Sequence, residues 1–234
     1  MAVSLITIEQ TKSPISEAYR TLRTNVQFTS VDSKTKKIMI TSSGPREGKS
    51  TTVANLAVSM AQAGKSVLVI DADLRNPTQH KLFQLGNFEG LSSFLVQDEE
   101  GKDFIKETTV PGVKVLTGGP IPPNPAELVG SQRMKRLIEK VSEQFDVVLI
   151  DTPPIIAVTD AAIIAQEVDG VILVLASGEV NKDYAQRAKE QLDKVEAKIL
   201  GAVINKADMK TSEYYYYYYY HGSDDSKKKR KGRK

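Results

Sequence analysis

Runs of consecutive valine, leucine and isoleucine punctuate the chain near residues 38–42, 66–71, 113–116, 145–151, 170–176 and 199–206. They lack the apolar–polar alternation of a half-exposed strand, and so predict strands of a parallel sheet covered on both faces. Between them apolar residues recur at helical spacing over 14–28, 52–63, 131–142, 158–165 and 182–195, with shorter pieces over 78–85 and 91–96. In the first helix this spacing puts Ala18, Leu22 and Val26, or Ile15, Leu22 and Val26, on the inner side. Gly64 is placed to stop the second helix as a C′ glycine, and Asn124-Pro125 to start another with a cap and a first-turn proline. The strand–helix alternation predicts an α/β fold, a doubly wound, mostly parallel sheet with right-handed crossovers. Ligands of such sheets bind at the carboxyl ends of the strands, so the residues that close each run are the candidates for chemistry.

The first run closes in Ser43-Gly44-Pro45-Arg46-Glu47-Gly48-Lys49-Ser50-Thr51 and passes directly into a helix. In a loop of this kind backbone N–H groups and the helix N-terminus face a phosphate chain. Lys49 can reach its β- and γ-phosphates, and Ser50 can offer a hydroxyl to Mg²⁺. Ser43 stands where the G-x-x-x-x-G-K-[ST] pattern has its first glycine, and Gly44 beside it keeps the turn permissive. The second run closes in Asp71-Ala72-Asp73-Leu74-Arg75 and the fourth in Asp151. Three carboxylates and an arginine are thereby delivered to the same edge as Lys49. These are the parts of phosphoryl transfer: a held triphosphate, Asp73, Asp151 and Ser50 (with Asp71 a further candidate) for Mg²⁺, Asp71 to accept a proton from an acceptor hydroxyl, and Arg46 and Arg75 as charge stabilisers.

The chain has 234 residues, 40% of them hydrophobic, which suits one sizeable α/β domain. It has no cysteine, which removes disulfides, thiolate metal sites and a cysteine nucleophile, and fits a reducing cytosol. No run approaches the roughly 20 apolar residues of a membrane helix, so a membrane role would be peripheral. The formal charge is +3, but residues 227–234 hold seven lysines and arginines; without them residues 1–226 carry −4. A mildly acidic body argues against specific nucleic-acid binding. Seven of the nine tyrosines form one unbroken run: Tyr214, Tyr215, Tyr216, Tyr217, Tyr218, Tyr219 and Tyr220. No core stripe has that pattern, and residues 208–234 are expected to form a disordered, flexible tail after a domain spanning 1–207. Glu17, Arg20 and Arg23 lie at i, i+3 and i+6 of the first helix, where they suit either a local ion pair on a solvated face or a self-complementary contact surface.

In combination these segments resemble the bacterial protein-tyrosine kinases (BY-kinases), specifically the separate kinase subunit of Gram-positive exopolysaccharide and capsule systems. Residues 43–51 resemble the family's Walker A motif, Val69–Arg75 its additional Walker A′ (D-x-D-x-R) and Val148–Pro154 its Walker B. Glu17-Ala18-Tyr19-Arg20-Thr21-Leu22-Arg23 is similar to its E-x-x-R-x-x-R oligomerisation motif, and Tyr214–Tyr220 to its autophosphorylation cluster. Asn205 is similar in position to the adenine-contacting residue of related ATPases. The resemblance implies an ATP- and Mg²⁺-dependent tyrosine kinase. It would form a ring-like homo-oligomer whose subunits phosphorylate one another's tails. It also implies a cytoplasmic protein recruited to the inner membrane face by a transmembrane adaptor, with protein substrates in polysaccharide biosynthesis. The alternative is a nonkinase ATPase switch of the partition and division-site class. Those relatives carry a signature lysine where this chain has Gly44.

Overall fold

Six parallel strands run through the middle of the molecule in the order Val113–Leu116, Val67–Asp71, Val147–Asp151, Lys37–Ser42, Gly170–Ala176 and Ile199–Asn205, with a short antiparallel strand, Lys106–Glu107, added beside the first. In chain order the elements are α1 (Ile6–Glu9), α2 (Pro14–Phe28), β1 (Lys37–Ser42), α3 (Lys49–Ala61), β2 (Val67–Asp71), α4 (Gln79–Leu82), α5 (Leu91–Val96), β3 (Lys106–Glu107), β4 (Val113–Leu116), α6 (Pro125–Val129), α7 (Gln132–Gln144), β5 (Val147–Asp151), α8 (Asp160–Ala165), β6 (Gly170–Ala176), α9 (Lys182–Lys194) and β7 (Ile199–Asn205). They belong to a computed structural model that describes residues 5–29, 35–96 and 104–208. The tyrosine run, the basic end and the expected flexible tail lie outside the described residues.

The continuous apolar runs are buried on both faces because alternate residues enter two separate cores. Leu68 and Ile70 of β2, Val148 and Ile150 of β5, and Val171 and Leu173 of β6 join one core, closed by α5, α6, α7, α8 and α9. Val67 and Val69, Val147 and Leu149, and Ile172 and Val174 join the other, closed chiefly by α2 and α3. The doubly wound arrangement predicted from the pattern is therefore present. Gly64 ends the α3 segment at φ +82°, as its position in the sequence requires.

The structure corrects several local expectations. Asn124 makes no side-chain cap; its Nδ2 donates to Glu127 Oε2 at 2.5 Å. β3 breaks the strict strand–helix alternation, which is feasible because an antiparallel pair needs only a short connection. α1 is too short to show a period, and it is fixed by contact instead: Thr7 N and Oγ1 donate to Asn55 Oδ1 of α3 at 3.1 and 2.9 Å. α2 is capped by Ser13, whose Oγ accepts from Ser16 N. It turns Ser16 and Val26 fully inward and Leu22 partly, while Ile15 and Ala18 face outward.

Beyond β4, Leu91 N and Ser92 N donate to the carbonyls of Thr117 and Gly118 at 2.7 and 3.0 Å, which locks two loops together. A Cβ on Gly90 would lie 2.1 Å from Thr117 O and 2.5 Å from Gly119 N, both backbone atoms with no freedom to give way. Gly90→Ala is expected to destabilise the chain by about 1–3 kcal/mol. Gly201→Ala, where a Cβ meets nothing within 4 Å, should change it by less than about 0.5 kcal/mol. Urea denaturation midpoints of the two variants check this; equal midpoints would contradict it.

Candidate active site

β2, β5 and β1 lie side by side, and the register sets Asp71 opposite Asp151 and Asp151 opposite Ile40. Two aspartates and the loop that leaves β1 therefore meet at one sheet edge. The loop reverses direction through Arg46 at φ +62° and Gly48 at φ +92°, conformations that place the first turn of α3 over the strand ends. Glu47 turns inward. Its carboxylate accepts from Ser43 Oγ at 2.6 Å, from Gly44 N, and from Ala176 N at the end of β6 at 3.3 Å. Asn205, at the end of β7, donates through Nδ2 to Glu47 O at 2.9 Å and packs on Gly48, where a Cβ would lie 2.0 Å from that nitrogen. The ends of two further strands thus brace the loop from behind. Pro45, Arg46 and Thr51 face outward.

Lys49 is directed at the carboxylates. Its Nζ lies 2.7 Å from Asp73 Oδ2, 3.5 Å from Asp151 Oδ1 and 3.2 Å from Ser50 Oγ. Burial alone would pull this ammonium down, but Asp151 and Asp73 outweigh it and hold the lysine above its ordinary pKa. Burial, and then the neighbouring Asp151, push Asp71 well above the usual carboxylate range, against the Gln79 and Thr78 N–H groups and Lys49. Asp151 is also raised by burial, with Lys49 opposing. Asp71 is completely buried, so its carboxylate is reached only from within the cluster.

Arg75 lies at the rim of this cluster, near enough for Asp73 to favour its charge but bound chiefly elsewhere. Its Nε and Nη2 bind the two oxygens of fully buried Asp160 at 3.0 Å each, tying the segment after β2 to the start of α8. Glu17 and Arg20 pair with each other at 2.5 Å, while Arg23 Nη1 donates to Ser59 O of α3 at 2.8 Å. Tyr19, Leu22, Ile204, Asn205 and Lys206 line a cleft of about 280 Å³ between α2 and β7. The structure therefore brings together Ser43, Gly44, Glu47, Gly48, Lys49, Ser50, Asp71, Asp73, Asp151 and Asn205, and leaves Glu17, Arg20 and Arg23 outside that group and Arg75 at its rim.

Sequence reasoning passed over Gln79 and Asp160. Gln79 is fully buried, with Nε2 donating to Asp151 Oδ2 at 2.8 Å and Ser50 O at 3.1 Å and its N–H to Asp71 Oδ2 at 2.8 Å. No periodicity marks such a residue. At the start of a short helical piece, a polar side chain gives no sign of burial.

Oδ1 of both Asp71 and Asp151 is buried without a hydrogen bond, and the adjoining donors are hard oxygens, which suits Mg²⁺. Among the described residues no group of three or more His, Cys, Asp or Glu forms a self-contained metal cage. That fits an ion bound through one or two carboxylates together with nucleotide phosphates.

A carboxyl whose pKa is higher in the folded than in the unfolded chain binds protons more tightly when folded. Its stabilising effect is complete below the ordinary value, about 3.9, and is lost as pH rises through the folded value. Without nucleotide or metal, urea midpoints are expected to fall as pH is raised from 4 to 8, and to fall less for Asp71→Asn. Equal slopes for the two proteins would contradict the assigned burial of that charge.

Comparison with known proteins agrees with this geometry. A family model described as ParA, NUBPL iron-transfer P-loop NTPase, matches residues 33–232. Tyrosine-protein kinase YwqD of Bacillus subtilis (strain 168) is 50% identical over 215 residues, covering 92% of this chain and 91% of the relative. Tyrosine-protein kinase CpsD of Streptococcus agalactiae (serotype III, strain NEM316) is 41% identical over 199 residues, 85% of each chain. Among solved structures, the chimerical protein CapA2B2 superposes with a TM-score of 0.83 at 44% identity, over 88% of this chain and 94% of the other. The kinase domain of Escherichia coli tyrosine kinase ETK gives 0.82 at 34%, over 87% and 82%. Shared sequence over nearly the full length of named tyrosine kinases, and a shared fold with solved ones, place this P-loop protein in the bacterial protein-tyrosine kinase family.

Proposed function

We propose that the chain transfers the γ-phosphoryl group of ATP to tyrosine hydroxyls, including those of Tyr214–Tyr220 on a neighbouring copy. The observation that carries this reading is the convergence of Lys49, Ser50, Asp71, Asp73 and Asp151 beside the loop that leads into α3, in a chain so similar to named tyrosine kinases. The loop amides from Arg46 to Thr51 and the Lys49 ammonium hold the phosphates, with Lys49 exchanging Asp73 for phosphate oxygen. Ser50, Asp73 and Asp151 would hold Mg²⁺, which neutralises phosphate charge and keeps the nearby carboxylates ionised. Asp71 takes the phenol proton. The phenol oxygen forms a bond to the γ-phosphorus, the bond to the bridging oxygen breaks, and ADP leaves. Arg75 is the charge stabiliser of this scheme, held at the rim by Asp160. The cleft beside Asn205 takes the adenine.

Delivery in trans is physically feasible. About fourteen residues separate Lys206 from Tyr220, a reach of up to about 50 Å when extended. Glu17, Arg20 and Arg23 on α2 supply the contact between copies in a ring-like oligomer, supported by the E-x-x-R-x-x-R spacing. Among the described residues no helix is long and apolar enough to cross a membrane. We place the chain at the cytoplasmic membrane face through an adaptor, acting on proteins of exopolysaccharide or capsule synthesis.

Incubation with γ-labelled ATP and Mg²⁺, with and without an adaptor's cytoplasmic segment, tests the reading. Label is expected on tyrosine in the wild type. It should fall at least about 100-fold in Asp71→Asn, the range of lost acid–base catalysis, and be absent when all seven tail tyrosines are phenylalanine. Release of inorganic phosphate with no protein label, even with the adaptor segment present, would contradict it. Heavy phosphorylation adds about −1.5 to −2 charges per tyrosine and should loosen the oligomer. Unchanged sedimentation of phosphorylated protein at matched nucleotide would contradict that part.

A further inference from the structure

Gln79 touches all three segments that build the site and has no place in the scheme above. It opens α4, has no exposed surface, and sits beneath the strand ends. Its contacts divide the two in-register aspartates in the same way. Asp71 Oδ2 accepts from the backbone N–H groups of Thr78 and Gln79 at 2.9 and 2.8 Å, and Asp151 Oδ2 accepts from Gln79 Nε2 at 2.8 Å. In each carboxylate the other oxygen, Oδ1, is buried and makes no hydrogen bond. The same Nε2 donates to Ser50 O at 3.1 Å, which ties the first turn of α3 to Asp151.

We infer that Gln79 is a positioning residue that occupies one oxygen of Asp151 and, through its N–H, one of Asp71, so that the two Oδ1 oxygens, that of Asp151 facing the Lys49 ammonium, stay aimed at the cation and the proton to be moved. This rests on the nucleotide–Mg²⁺ reading of the site and names the residue that sets its geometry. A carboxylate with no fixed donor rotates about its Cβ–Cγ bond, and a lysine 3.5 Å away restrains that rotation weakly. An amide that donates at 2.8 Å and is itself anchored to α3 fixes it. Gln79 is held in place at a cost, because its Oε1 is buried without a hydrogen-bond partner. An apolar side chain of the same length would avoid that cost, so packing alone does not account for a glutamine here. Outer residues that orient metal ligands in this way are worth about 10–100-fold in metal affinity.

The test is calorimetric binding of ADP to the full chain, with and without Mg²⁺. In the wild type Mg²⁺ should tighten ADP binding. Gln79→Met keeps the backbone N–H and the side-chain length but removes the amide; it is expected to lose about tenfold or more of the Mg²⁺-dependent gain while its Mg²⁺-free ADP affinity stays within about twofold. In an Asp151→Asn background, where the carboxylate it orients is gone, Gln79→Met should cost the gain nothing further, whereas a merely structural glutamine would give additive losses. If Gln79→Met fails to fold, Gln79→Leu removes the same amide without adding a charge, and the same loss is expected. A variant that retains the full Mg²⁺ gain overturns the inference alone. A wild-type chain whose ADP affinity ignores Mg²⁺ overturns the reading of the site and this inference with it.

Discussion

The ammonium of Lys49, held between Asp73 and Asp151 under the first turn of α3, is the interaction on which the rest of the site depends. The parallel register forces Asp71 and Asp151 side by side, and burial strips them of water. Like charges in such a place repel and lose hydration unless a cation enters. Removing one member of a buried ionic cluster leaves the remaining charge uncompensated, at about 3–5 kcal/mol. The lysine is therefore both the counterion that lets these acids coexist and the group with most to gain from an incoming triphosphate and its metal.

Its position is set from a distance. Gly48 provides the left-handed turn, Glu47 folds into the loop it belongs to and reaches β6, and Asn205 clamps the loop from β7. Asn205 closes β7, so the backbone leaves the sheet from a residue bonded to that loop. Lys206, whose Nζ binds both oxygens of Glu179 at 3.0 and 2.7 Å, fixes that exit. The loop before α3 and the end of β7 therefore share one frame at the carboxyl edge of the sheet.

Much of this frame was legible in the sequence. The strands showed themselves because burial on both faces demands uninterrupted apolar runs, and the loop because phosphate chemistry demands glycine, lysine and serine in a fixed order. What escaped was whatever depends on a partner distant in sequence. Gln79 meets Asp151 across 72 residues and Arg75 meets Asp160 across 85, so neither leaves a local period. Glu47 sits among phosphate-binding positions, yet its side chain serves the protein rather than the ligand. The inward face of α2 was misplaced because tertiary packing chose Ser16 over Ile15 and Ala18. α1 and β3 were too short for any pattern to register.

The most direct test of this account is a crystal structure of the full chain with Mg²⁺ and a nonhydrolysable ATP analogue. The account predicts that Lys49 Nζ leaves Asp73 for phosphate oxygen, with the freed carboxylates turned to the cation and Gln79 still donating to Asp151. A lysine that keeps its ion pair with Asp73 while phosphate occupies the loop would contradict it.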